Sequence, residues 1–189
     1  TNYLTFKAAL NTVKNWSDAH PDHLPVTILV EPKEDDLYSV LGPPFTPAFP
    51  FGKIALDAID QEIRDVFGNN LEDVITPDEV RGSYATLNEA IKNKNWPTVG
   101  DSRGKLIFVM IPSADERFDY LEGHTSLEGR AMFMFSIPGS PETAFLNYDD
   151  PIVADIQGKV MEGYFVRTRA DADTKEARSG STARRSAAF

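Results

Sequence analysis

Apolar positions along this chain change their period several times, and each change predicts an element. Over residues 4–19, Leu10, Val13 and Trp16 fall near one helical face, with Leu4 and Phe6 close to it. The stretch HPDHLP breaks that helix. VTILVE, residues 26–31, is a β-branched apolar run of strand length that ends in a carboxylate. Residues 35–53 hold Pro43, Pro44, Pro47 and Pro50 with Tyr38, Phe45, Phe49 and Phe51, which predicts a long aromatic loop. Residues 54–67 return to helical period, with Leu56, Ile59, Ile63 and Val66 on one side and Gly68 as the stop. TPDEV is a helix start, with Thr76 as N-cap, Pro77 in the first turn and Glu79 three residues on. A short helix follows over 86–94.

KLIFVMI, residues 105–111, is the second clear strand, and AMFMFSI, residues 131–137, the third after a polar loop. A helix over 151–162 places Ile152, Val153, Ile156 and Val160 inward. GYFVRTR, residues 163–169, is the fourth strand. A polar loop over 171–181 leads to a last helix from Thr182. These strands read as continuous apolar runs, the pattern of parallel strands covered on both sides or closed into a barrel. The fold class expected is α/β in a single domain over residues 1–189.

In parallel α/β folds the site lies at the carboxyl ends of the strands. Two strand ends here concentrate charge. The first is followed by Glu31 and Lys33. The fourth runs into RTRADAD, where Arg167, Arg169, Asp171 and Asp173 alternate, so a continuing strand would point all four one way. Glu31 can offer oxygen to a hard cation or pair with Lys33. Arg169 and Arg167 can each fork onto a phosphate or pair with the nearby aspartates. His20 and His23 flank Pro21 without an i, i+4 spacing and lie before a strand, on the opposite rim; a structural or solvent role is expected. His124 stands in a polar loop without an assignable role. DSRGK, residues 101–105, is a turn, since one glycine does not make a phosphate nest. No Walker, dinucleotide or nucleophile-elbow pattern occurs.

Composition narrows the classes. The formal net charge is −10, so a nucleic-acid partner is not expected, because little counterion release would drive binding. There is no cysteine, hence no disulfide or thiolate site. No apolar run reaches the length of a membrane span. The sequence opens on TNYLTFKAAL without an initiator Met and closes on STARRSAAF. Both ends have the pattern of interior sequence, and the expectation is a piece of a longer protein.

Four stretches in order, HPDHLPVTILVEPKED, LDAIDQEIRDVFG with ITPDEVRGSYATLNEAI, NWPTVGDSRGKLIFVM and GYFVRTRADADTKEARSGSTARR, resemble the bacterial calcium-dependent phosphoinositide-specific phospholipase C proteins. The resemblance runs from about Phe6 to Phe189. It implies a TIM (β/α)8-barrel phosphodiesterase, of which this chain holds about strands four to seven. It implies one Ca2+ as cofactor and a pair of histidines as base and acid, with the inositol 2-hydroxyl attacking the phosphodiester. By that resemblance Glu31 is a metal ligand and Lys33 the basic residue after it, the two catalytic positions carried over. Arg169 is the substrate-phosphate arginine, Arg167 the second choice, and Asp171 orients one of them. The family's histidines and its Glu-x-Asp metal pair match nothing in this chain, so the isolated chain is expected to be inactive. The strand after RGK also lacks the lysines of the animal enzymes.

The implied partners are a phosphodiester or phosphoinositide substrate, a membrane surface, and a complementary chain or a second copy. The implied location is extracellular or periplasmic, in lipid metabolism. A glycerophosphodiester phosphodiesterase is the alternative enzyme. The non-enzymatic alternative is a half-barrel that acts as a binding or structural component, because half a barrel leaves two open sheet edges.

Overall fold

The computed structural model describes residues 5–34 and 38–189. In chain order the elements are α1 (Phe6–Ala19), β1 (Val26–Val30), α2 (Tyr38–Leu41), α3 (Lys53–Phe67), α4 (Pro77–Arg81), α5 (Leu87–Lys92), β2 (Leu106–Met110), α6 (Ala114–Leu121), β3 (Phe133–Met134), β4 (Phe145–Tyr148), α7 (Val153–Glu162), β5 (Phe165–Thr168), α8 (Lys175–Ser179) and α9 (Ala183–Ala188). Among the described residues five strands are present where the pattern predicts four. FLNY of β4 is the addition, and α6 occupies the predicted polar loop.

Every strand pair is parallel. β1 pairs with β2 from Val26 opposite Leu106 to Val30 opposite Met110. β3 adds to the other side of β2, and a single bridge from Phe135 to Phe145 carries the path on to β4 and β5. A cavity of about 270 Å³ is lined by Thr27 and Leu29 of β1 together with Phe165, Val166 and Arg167 of β5. The two edge strands therefore bound one space, and the strand path curves around it.

The core follows from which strands are central. β2 is buried along its whole length, because strands flank it on both sides and helices cover it. Leu56 and Ile63 of α3 and Leu10 of α1 pack into this layer. Each such aliphatic side chain stabilises by roughly 1.5–3 kcal/mol when fully buried. β1 differs. It has the same apolar composition, yet Thr27 and Leu29 are exposed toward the enclosed space while Ile28 and Val30 are half-buried. Of the two expected alternatives, coverage on both sides or closure into a barrel, the first does not hold for this edge strand.

Trp96 packs against the phenylalanines of β3, β4 and β5. Its ring lies 4.6 Å from Phe165, 5.7 Å from Phe133 and 5.8 Å from Phe145, and its indole N–H donates to Gly163 O at 2.8 Å. Gly163 sits at φ +110°, and a Cβ there would run into Ile91 O. Only glycine lets α7 turn this tightly into β5.

A buried polar cluster ties α3, α6 and the approach to β3. The Tyr120 hydroxyl donates to Asp60 Oδ1 at 2.6 Å. Arg130 lies 3.3 Å from Asp60 Oδ2 and 2.5 Å from Asp57 Oδ1, and donates to Tyr120 O at 3.0 and 2.7 Å. Burial raises the Asp60 carboxyl above its ordinary value against the pull of Tyr120 and Arg130. Burial, then the Asp60 charge, drives the Tyr120 hydroxyl well above 10.0. The exposed Asp57 carboxyl is instead lowered, chiefly by its hydrogen bond from Arg130.

Helix starts follow the predicted chemistry. Thr76 and Thr86 accept the Glu79 and Glu89 N–H groups, and Ser113 with Glu116 forms a reciprocal capping box that starts α6. The inward face predicted for α7 is a correction. Ile152, Val153 and Val160 are exposed and only Ile156 is half-buried, since nothing among the described residues covers that side of the edge helix. The aromatic loop is present, except that residues 35–37 lie outside the described set; Phe49 is exposed and Phe51 packs on the core.

Candidate functional site

The carboxyl ends of the strands form a rim. After β4 come Asp149 and Asp150. β5 contributes Arg167, and Arg169 follows it. Arg167 Nη1 donates to Asn147 Oδ1 at 2.7 Å and to Asp149 Oδ1 at 2.9 Å. Arg169 Nε lies 3.0 Å from the same Asp149 oxygen. The register explains this convergence: Asn147 stands opposite Arg167, so side chains two residues apart on β4 and β5 meet on one face.

Arg184 of α9 fastens the cluster from the far side. Its Nε donates to Arg169 O at 2.8 Å, its Nη1 to Asp150 Oδ1 at 2.9 Å, and its Nη2 to Asp149 O. The last helix therefore fixes the backbone that carries Arg169. Asp149 and Arg184 were not singled out from the sequence. Their partners lie 18 and 15 residues away, and no local pattern marks such a pairing.

Asp171 and Asp173 take other places. β5 stops at Thr168, so the alternating charges do not share a strand face. Asp171 Oδ1 accepts the Glu176 N–H at 3.2 Å, and Asp173 Oδ2 lies 3.3 Å from Lys175 Nζ at φ +55°. Among the described residues, Asp149 rather than Asp171 orients the two arginines. Glu176 answers by accepting the Ala172 N–H, which with Asp171 holds its carboxyl below the ordinary value.

Glu31 follows β1 at the opposite edge of the strand path. Its Oε1 lies 3.2 Å from Lys33 Nζ, and both side chains are about half-exposed or more. The two line a cavity of about 350 Å³ with Pro112 and Ser113. The rim thus carries both charged strand ends, Glu31 with Lys33 and Arg167 with Arg169. As a calcium ligand Glu31 fits only as one oxygen donor. Ca2+ takes six to eight oxygens, and no group of three or more His, Asp or Glu suited to a metal occurs among the described residues.

The histidines lie elsewhere. His23 Nε2 is 2.7 Å from Ser17 Oγ and His20 Nδ1 is 2.7 Å from Trp16 O, and the Trp16 ring stacks on His20 at 4.7 Å. Both lie before β1, at the amino ends of the strands. His124 Nδ1 is 2.6 Å from Glu128 O, in the connection that enters β3. DSRGK is a turn, with Gly104 N–H donating to His23 O at 2.9 Å. No helix among the described residues is long and apolar enough to cross a membrane.

Comparison with known proteins places this geometry. A family model described as phosphoinositide phospholipase C, Ca2+-dependent, matches residues 1–189. Among solved structures, the chain is similar to a Ca2+-dependent phosphatidylinositol-specific phospholipase C from Streptomyces antibioticus, at 21% identity and TM-score 0.63, over 88% of this chain and 59% of that one. It is also similar to a calcium-dependent phosphoinositol-specific phospholipase C from a Gram-negative Pseudomonas sp. in its myoinositol complex, at 24% identity and TM-score 0.67, over 94% of this chain and 63% of that one. At these identities the likeness shows the fold. The chain spans about six tenths of the length of these structures. No curated protein matches it.

Proposed function

This chain belongs to the Ca2+-dependent phosphoinositide phospholipase C family, and from that membership we propose that it forms part of a TIM-barrel enzyme that cleaves the phosphodiester of phosphoinositide-type lipids. The observation that carries the reading is the pair Arg167 and Arg169 held on one Asp149 oxygen at the carboxyl-end rim. Two guanidinium groups so placed leave further N–H donors for a phosphate. They stabilise negative charge as it develops on the attacked phosphate, and their fixed position avoids reorganisation during the reaction. Asp149 and Arg184 orient them; Asp171 instead accepts the Glu176 N–H in α8.

Glu31 is proposed as one oxygen ligand of a bound Ca2+, with Lys33 as a neighbouring cation for the phosphate. When bound, the ion would supply Lewis-acid polarisation of the phosphoryl oxygen. The remaining ligands and the acid–base pair would come from outside the described residues, because all three histidines sit away from this rim. The parallel path that curves around one space, with exposed Thr27 and Leu29 facing it, supports a partial barrel. The test is calcium titration and turnover of Glu31→Gln in the complete protein. Weaker cation binding with reduced turnover is expected. Unchanged affinity together with unchanged turnover would overturn the role of Glu31.

A second reading has its own observation. β1 exposes one face and α7 exposes Ile152, Val153 and Val160, so both edges of the path could be covered by a complementary chain or a second copy. In that reading the chain is a binding component. Sedimentation of the protein, which would then report a concentration-dependent oligomer, separates it from the enzyme reading.

A further inference from the structure

A trough beside the rim cluster, which it touches at Asn147, holds a cation and an anion that the cluster does not use. It runs between α6 and the turn over residues 137–143, as a cavity of about 380 Å³ that joins a second of about 320 Å³ through Ala114, Arg117 and Ile137. Arg117 lines both. Its guanidinium has no hydrogen bond or ion pair among the described residues, whereas Arg81, Arg130, Arg167, Arg169 and Arg184 are all paired with carboxylates.

Glu142 lines the same trough from the other side. It is only 5% exposed. One carboxylate oxygen accepts from Ser136 Oγ, and the other has no hydrogen-bond partner. No cation lies within ion-pair distance of it among the described residues. The open side of this carboxylate faces the cavity. Glu122 adds a second carboxylate to the same wall. Phe118 and Ile137 at the mouth are 74% and 55% exposed, an apolar pair beside a charged interior.

The geometry points to a binding site for a zwitterionic amphiphile, with its phosphate on Arg117 and its ammonium between Glu142 and Glu122. Arginine matches phosphate oxygens bidentately. The ammonium compensates the buried Glu142 charge, and Phe118 with Ile137 covers the first part of an apolar tail. A purely anionic ligand would face two carboxylates, and a simple cation would leave Arg117 unanswered. A phospholipid of phosphocholine or phosphoethanolamine type has all three features. The protein's net charge of −10 also favours a zwitterionic over an anionic surface. This site needs none of the groups proposed for catalysis.

The experiment is a titration of the protein with phosphocholine, inorganic phosphate and tetramethylammonium, followed by calorimetry. Phosphocholine should saturate one site at least tenfold more tightly than either half-ligand. Arg117→Gln and Glu142→Gln should each weaken it about tenfold or more, while their circular dichroism matches the wild type. Phosphocholine binding no tighter than phosphate, or binding that survives both substitutions, would overturn the proposal. Phosphatidylcholine vesicles distinguish the source of the headgroup. Vesicle binding that Phe118→Ser abolishes identifies a lipid. Saturable phosphocholine binding without vesicle binding identifies a soluble ester and leaves the zwitterion site standing.

Discussion

Arg169 meets Asp149 across neighbouring parallel strands, Nε to Oδ1, at 3.0 Å. The same oxygen takes Arg167 at 2.9 Å. One carboxylate therefore does two things: it aligns two guanidinium groups on the rim, and it competes with any phosphate for their donors.

Asp149→Asn separates these effects. The substitution keeps the shape and removes the charge. Pairs this exposed are worth roughly 0.2–1 kcal/mol, so inorganic phosphate should bind up to about fivefold more tightly to the variant. Calorimetric titration checks it. Weaker phosphate binding would mean that alignment outweighs competition.

Arg130 is the stability hinge of the helical layer. Its side chain is 4% exposed and faces Asp60 and Asp57. Arg130→Ala leaves Asp60 buried without its cation and should cost about 3–5 kcal/mol. Tyr120→Phe removes one buried hydrogen bond and should cost about 1–3 kcal/mol. Urea unfolding at neutral pH reads both, and a smaller loss in Arg130→Ala than in Tyr120→Phe would contradict the assignment.

Asp60 also sets a pH dependence. Its carboxyl is raised from 3.8 because burial penalises the charge. A raised folded value favours the folded state while the group is protonated. That contribution is complete below 3.8 and is lost as pH rises through the folded value. Wild type should therefore lose stability relative to Asp60→Asn as pH rises from below 3.8 toward neutrality. Urea midpoints of the two proteins across this range give the difference directly, and a flat difference would remove Asp60 as its source.

Much of the fold was legible because single residues carry it. KLIFVMI became the buried central strand, and Thr76 caps its helix through its own hydroxyl as its spacing from Glu79 predicts. What was missed has physical causes. β4 has only four residues and ends in Asn147 and Tyr148, too short for a period to emerge. α6 is mostly polar, although Ser113 and Glu116 hold the capping-box spacing that marks its start. The apolar spacing of Ile152, Val153 and Val160 defines a face but cannot tell whether anything covers it. At the rim, Arg167 and Arg169 were legible as a pair. Asp149 and Arg184 were not, because register and helix docking bring them there.

The most direct measurement is release of inositol phosphate from phosphatidylinositol by the complete protein, which carries the acid–base pair and the remaining ligands, as wild type and as Arg169→Ala, each with calcium and with a chelator. The account predicts release by the wild type only with calcium, and a loss of roughly 10²–10³-fold in Arg169→Ala, the effect of removing one group that stabilises developing charge. Release that persists in chelator, or an Arg169→Ala rate within twofold of wild type, would contradict it.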